Sequence, residues 1–205
     1  EHNFIYCTSM CGQYEIQERI SSVYTIATLR VCCAYRTVSD DAACVISGMI
    51  PIDLLAKERK YIYMKNYSPH EARAVTMDEW QARWASSAKG RWTFTLIPDI
   101  KKWLDRKHGD LDYYTTQFLS GHGGFKQYLH RFGLADSPLC PYCTDSIQDS
   151  RHIFFDCPRF SVERHSLEFE VQKAVRVDNI IDIMVDMLGK LKSPTTSFDD
   201  FLLVK

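Results

Sequence analysis

The sequence predicts a mainly α fold: a helical bundle, then a small Cys-rich loop, then helices at the carboxyl end. Three observations carry that expectation. Apolar side chains recur at helical spacing over most of the chain, helix start and stop signals punctuate them, and four metal-ligating side chains crowd into one short stretch. No repeat of roughly 20 to 50 residues and no low-complexity tract points to a solenoid or a disordered arm.

Taken in order, Ile16, Ile20, Val23, Ala27, Val31 and Ala34 keep a helical repeat from about Tyr14 to Val38, predicting one long helix with that stripe against the core. Ser39 caps a short second helix, with Asp40 and Asp41 in the first turn where acids suit the helix dipole, and Gly48 ends it. Pro51 opens a third helix, with Lys57, Arg59 and Lys60 along a charged side, and a loop follows around Asn66 to Pro69. Thr76 and Glu79 have capping-box spacing, which predicts a helix from Thr76 to a stop at Gly90. Trp80 and Trp84 lie one turn apart on it and are expected in the core, with base stacking the other reading. Residues 91–96 alternate and predict an extended segment, before Pro98 opens a helix carrying Lys101, Lys102, Trp103, Arg106 and Lys107. Tyr113 to Leu119 and Phe125 to Phe132 read as helices flanking a turn at Gly121-His122-Gly123-Gly124. Pro158 to about Val175 and Asn179 to Leu191 are amphipathic, Ser193-Pro194 breaks the pattern, and Thr196 or Ser197 caps a last short helix.

The stretch from Leu139 to Phe160 places Cys140, Cys143, His152 and Cys157 in the order C-x2-C-x8-H-x4-C. Two thiolates three residues apart bind one ion from a single turn, and the His and third Cys complete a tetrahedral set, so one structural Zn2+ is expected. Ile153, Phe154 and Phe155 are expected to pack beside the ion, and Pro141 and Pro158 stiffen the backbone after two of the ligands. Nothing marks the chain as secreted, which disfavours disulfides. Cys32, Cys33 and Cys44 are expected to pack as small hydrophobes.

A formal charge of -1 excludes a uniformly basic nucleic-acid binder, so any phosphate contact needs a local patch. Such a patch exists in the sequence. Arg83, Lys89, Arg91, Lys101, Lys102, Arg106, Lys107, Lys126 and Arg131 face only Asp99, Asp105, Asp110 and Asp112 between residues 83 and 131, whereas acids outnumber bases from Cys140 onward. No apolar run is long enough to span a bilayer and the start has no signal-peptide pattern, so the expectation is a soluble protein of the nucleus or cytoplasm, without a membrane partner. The first residue is Glu1 and not Met, as expected of a piece of a longer protein.

Several of these residues together resemble a known family. Ala34 to Ser39, Gly48 to Leu55, Trp80, Trp84, Gly90-Arg91-Trp92, Ile97-Pro98, Thr116 to Gly123, Phe125, Tyr128-Leu129 and the Cys-Cys-His-Cys loop are similar, in order and spacing, to the region beyond the palm in insect non-long-terminal-repeat retrotransposon reverse transcriptases. The resemblance implies a thumb-like helical region over 1–75, a basic helical linker over 76–136, a CCHC zinc knuckle over 137–160 and carboxyl-terminal helices over 161–205. It implies binding of RNA or an RNA/DNA hybrid beside a polymerase. The knuckle has eight residues between its second Cys and its His where the short retroviral pattern has four, so that pattern's way of reading bases is not carried over.

Lys101, Lys102, Arg106 and Lys107 are the candidate phosphate contacts, with Arg91 beside them; the basic helix is equally readable as a plain solvated face. In the knuckle, Tyr142 and Phe154 or Phe155 are candidates to stack on bases, and Arg151 and Arg159 to meet the backbone. No aromatic-x-Asp-Asp turn is present, Asp40-Asp41 and Asp199-Asp200 reading as helix-cap acids, so no catalysis is expected. His122 between glycines reads as a turn residue bonding the backbone and not as a general base. The alternative to nucleic-acid binding is a protein-interaction module, possible for a host-recruited protein, in which Ile180, Ile183, Met184 and Met187 dock on a partner and zinc is only a staple.

Overall fold

The computed structural model describes residues 18–106, 111–143 and 145–188, the side chains of 186–188 aside. The fold is mainly α. Among the described residues there is no named strand, and the isolated β-type pairing is a bridge between Leu139 and Ile147. Among the same residues, no helix is long and apolar enough to cross a membrane.

Helix α1, described over 18–31, ends earlier than the repeat suggested, because Cys33 takes a left-handed conformation (φ 53°) and the Ala34 amide closes back on the Leu29 carbonyl at 2.8 Å. Its buried side is also the other one. Thr28, Leu29 and Cys32 face the core, while Ile20, Val23 and Val31 are each more than half exposed. A helix apolar on both sides does not say by spacing alone which side packs. Cys32 and Cys44 are buried as expected, and burial pushes their thiols up to about 11 and about 12; Cys33 is exposed instead.

Helix α2 (Asp40–Ser47) starts and stops where its signals say, with the Ser39 hydroxyl accepting the Ala42 amide and Gly48 left-handed at its end. Helices α3 (Ile52–Lys65) and α4 (Pro69–Ser86) form an antiparallel pair. The capping box of α4 is Ser68 with Glu71, not Thr76 with Glu79: Pro69 takes the first helical position, and Thr76 is buried a turn and more inside, its hydroxyl bonding the Ala72 carbonyl. Arg83 links the layers through ion pairs with Asp41 and Asp53 at 2.9 and 3.0 Å.

Residues 91–96 are helical (α5, Arg91–Leu96), not extended, because Gly90 turns left-handed (φ 64°) and Thr93 and Leu96, three apart, are the side chains that bury. A Cβ at Gly90 would stand 2.9 Å from that of Ala42, so the turn also needs glycine for space. Helix α6 (Ile100–Leu104) is capped by Asp99, so it starts later than Pro98 and ends before Arg106. Trp80, Trp84 and Trp103 are all core residues; the indoles of the last two donate to the Ile97 carbonyl at 2.8 Å and the Ile46 carbonyl at 3.2 Å. Helices α7 (Tyr113–Ser120) and α8 (Lys126–Arg131) flank the glycine turn, with Gly121 left-handed against the Trp92 ring. Helices α9 (Ser161–Val171) and α10 (Ile180–Leu188) close the described chain. One apolar cluster runs from Leu29 on α1 to Met184 on α10 and includes Cys140, Ile153, Phe154 and Cys157. Ser193, Pro194, Thr196, Ser197, Asp199 and Asp200 lie outside the described residues.

Candidate metal centre

The turn from Pro138 to Gln148 is a tight hairpin. The Cys140 amide bonds the Ser146 carbonyl at 2.8 Å, the Ser146 amide bonds the Cys143 carbonyl at 3.0 Å, and the Gln148 amide bonds the Pro138 carbonyl at 2.9 Å. That fold turns both thiols of the C-x2-C pair the same way. Asp149 then starts a helical turn, its carboxylate accepting the His152 amide at 2.7 Å. His152–Asp156 winds as a single π turn, so that the Cys157 amide reaches the His152 carbonyl at 2.7 Å. The four-residue gap between His152 and Cys157 is the sequence form of that i to i+5 bond.

The result is a closed set. One donor atom each from Cys140, Cys143, His152 and Cys157 lies within 4.8 Å of the others, and three of the four residues are buried. Cys157 Sγ stands 3.9 Å from Cys140 Sγ and 3.7 Å from Cys143 Sγ. A disulfide needs about 2.04 Å, whereas a tetrahedron with metal–sulfur bonds of about 2.3 Å has edges of about 3.8 Å. Buried His152 Nε2 has no hydrogen-bond partner among the described residues, a condition that a metal ion would relieve. Desolvation and the neighbouring Cys157 and Cys140 push the Cys143 thiol up to about 11. The group can therefore hold one metal ion.

The supporting residues carried no sequence signal of their own. The Arg164 guanidinium, from α9, donates to the Cys157 carbonyl at 2.6 Å, with longer contacts to the Ile153 and Phe154 carbonyls. The Ser150 hydroxyl donates to the Phe118 carbonyl at 3.0 Å, and Gln148 accepts the Lys126 amide through its side chain and the Gln127 amide through its backbone. Phe154 lies 3.9 Å, centroid to centroid, from the fully buried Phe118 of α7. These bonds fasten the loop to α7, α8 and α9. Only the chain reversal through Pro158–Phe160, a 3-10 turn, brings Arg164 back onto the loop.

The candidate nucleic-acid contacts are dispersed. Lys101 and Lys102 are exposed on α6, and Lys102 pairs with Asp182 at 2.6 Å. Arg106 packs its guanidinium 3.8 Å over the Trp103 ring and donates to the Trp103 carbonyl, and burial lowers its pKa. Arg91 stacks 3.9 Å over Phe94 and donates to the Ser87 carbonyl. Lys107 lies outside the described residues. Arg151 and Arg159 are exposed, in long pairs of 3.8 Å with Asp156 and Glu163, and Tyr142 is 57% exposed. Phe154 is buried against Phe118, so it does not offer a ring to a base, and His122 bonds the Thr37 hydroxyl at 3.1 Å instead of a backbone group. Ile180, Ile183 and Met184 are core residues and thus not a docking face, while Met187 has no described side chain.

Curated relatives share most of this chain. It is 31% identical, over an alignment of 171 positions that covers 73% of this chain, to a retrovirus-related Pol polyprotein from type-1 retrotransposable element R1 2 of Nasonia vitripennis, of which it covers 41%. It is 28% identical over 164 residues to the corresponding R1 polyprotein of Bradysia coprophila, covering 69% of this chain and 16% of the relative. It is 30% identical over 173 residues to a putative 115 kDa protein in the R1 element of Drosophila melanogaster, covering 73% of this chain and 17% of the relative. The chain thus spans less than half the length of each of these proteins. No family model matches the chain, and no solved structure does.

Proposed function

Over most of its length the chain is a relative of the Pol polyproteins of insect R1 non-long-terminal-repeat retrotransposable elements, and from that kinship we propose that it is a nucleic-acid-binding accessory region of such a polyprotein. The observation that carries this reading is the Cys140, Cys143, His152 and Cys157 set, closed to 4.8 Å and bolted to the helical core. The ion is Zn2+. Three Cys and one His, with all four donors supplied by the protein, are the donor set of a structural zinc site. Its role is to hold the loop from Leu139 to Phe160, with Tyr142, Arg151 and Arg159 on its surface, in one shape against α7 and α9.

The ligand is RNA or an RNA/DNA hybrid, met in the cytoplasm or nucleus through Lys101, Lys102, Lys107 and the knuckle surface, while Arg91 and Arg106, stacked on Phe94 and Trp103, serve packing. The region performs no chemistry itself, for its sequence has no aromatic-x-Asp-Asp turn to hold catalytic Mg2+. Fluorescence anisotropy of the full chain against a structured RNA and an RNA/DNA hybrid, at two salt concentrations, tests the reading. Affinity that falls steeply with added salt is the expected result, since each neutralised phosphate releases counterions. A second reading, a protein-interaction module, draws support from the exposed stripe of Ile20, Val23, Ile26 and Val31 on α1. Absence of binding even at low salt would favour it.

A further inference from the structure

A row of aromatic rings crosses a face of the protein that neither the metal loop nor α6 supplies. It runs from Tyr114 and Tyr113 at the start of α7, through Tyr35 in the turn after α1, to Tyr128 and Phe132 at the end of α8. Neighbouring centroids stand 5.4, 5.8, 5.9 and 5.0 Å apart in that order. Rings of a closed core are buried, but Tyr113, Tyr114 and Phe132 are 44, 38 and 46% exposed. Polar tips hold the row in place. The Tyr35 and Tyr113 hydroxyls bond each other, the Tyr128 hydroxyl bonds that of Thr37 at 2.7 Å, and Thr37 also meets His122, whose ring packs on Tyr128 at 4.9 Å. Burial and then Arg131 lower the His122 pKa, so this ring is a neutral spacer. Aromatic side chains fixed beforehand lose little freedom when a ligand arrives.

Cations accompany the rings along the chain. Arg36 follows Tyr35 in the chain, Lys126 and Arg131 lie on α8 with Tyr128, and the acid nearest in the chain, Asp112, is engaged in capping α7 through the Thr115 amide. Among the described residues Arg36, Lys126 and Arg131 form no ion pair, and Arg131 lies 5.8 Å over the Phe132 ring at the end of the row. Exposed rings in series beside unpaired cations match a strand of unpaired bases, which offers π faces at intervals along a phosphate backbone. A duplex hides those faces within its stack.

We propose that the face formed by Tyr35, Tyr113, Tyr114, Tyr128 and Phe132 binds single-stranded nucleic acid by stacking on its bases. This deepens the nucleic-acid reading given above and rests on it, while using different residues.

The test is anisotropy of the full chain with labelled oligo(U) and with a blunt RNA/DNA hybrid of the same length, for the wild type, Phe132→Ala, Tyr114→Ala and Phe132→Tyr. Stacking contributes roughly 1–3 kcal/mol per base, so each alanine change at an end of the row should weaken oligo(U) binding about 5- to 150-fold. Hybrid binding should stay within about twofold, and Phe132→Tyr, which keeps a ring, should bind oligo(U) like the wild type. Unchanged oligo(U) affinity in both alanine variants, or an equal loss on the hybrid, would overturn the inference. Wild type that binds the hybrid but not oligo(U) would overturn it alone and leave the basic surface standing. Binding of neither probe would overturn both readings and give this face to a protein partner.

Discussion

In the loop from Leu139 to Phe160, side chains from a hairpin, a π turn and the residue after it converge until their donor atoms lie within 4.8 Å. Between residues 91 and 106, four cations on a comparable length of chain diverge, two onto aromatic rings and one onto Asp182. The difference is one of constraint. A metal ion accepts a single geometry, so the spacing of its ligands has to encode backbone turns that produce that geometry. A surface cation accepts whatever partner is near, and its long stem packs on apolar surface as readily as its head meets a phosphate.

Breaking the loop at its apolar foundation should have the largest effect. Phe118→Ala removes a fully buried ring that lies against Phe154 and is expected to cost about 3–5 kcal/mol, read as a fall in the denaturation midpoint, with loss of metal affinity in step. If stability fell and metal affinity did not, the loop would be folding independently of α7. Arg164→Met should act next, since it strips the donor from the Cys157 carbonyl: metal affinity, measured by chelator competition, should fall about 10-fold or more with a smaller loss of stability. The basic stretch should answer differently at each position. Arg106→Ala is expected to lower stability by about 1 kcal/mol through its lost contact with Trp103. The paired change Lys101→Gln and Lys102→Gln should leave stability within about 1 kcal/mol, the loss of the Lys102–Asp182 pair included, yet reduce the dependence of log affinity for an RNA/DNA hybrid on log salt by about 1 to 2. A large stability loss from that pair would mean that these lysines belong with Arg106 as packing residues.

The parts of this fold that were legible beforehand had redundant signals. Helix α2 has a capping Ser39, two acids and a left-handed Gly48, all agreeing, and Trp80 and Trp84 share one helix face at the core. The Cys3His cluster was legible because its spacing is the spacing of the turns that build it. Other parts were decided by competition between similar signals. Ser68 and Thr76 both stand three residues before a Glu, and Pro69 at the first helical position settles which one caps α4. The alternation in residues 91–96 is real, but the left-handed Gly90 and the burial of Thr93 and Leu96 favour a helical turn. On α1 both faces are apolar, so only the bundle decides that Leu29 and Cys32 bury while Val23 and Val31 do not. Arg164 and Gln148 were invisible because their partners lie across chain reversals, where no local period reaches.

The claim on which the rest depends is that Cys140, Cys143, His152 and Cys157 hold one ion. Metal content of the full chain, loaded with Zn2+ and then freed of excess by gel filtration, tests it against the same measurement on Cys143→Ser. The account predicts about one zinc per chain in the wild type and close to none in the variant, with the helical content of the variant largely kept. Equal metal content in the two proteins, or a wild type that retains none, would contradict it.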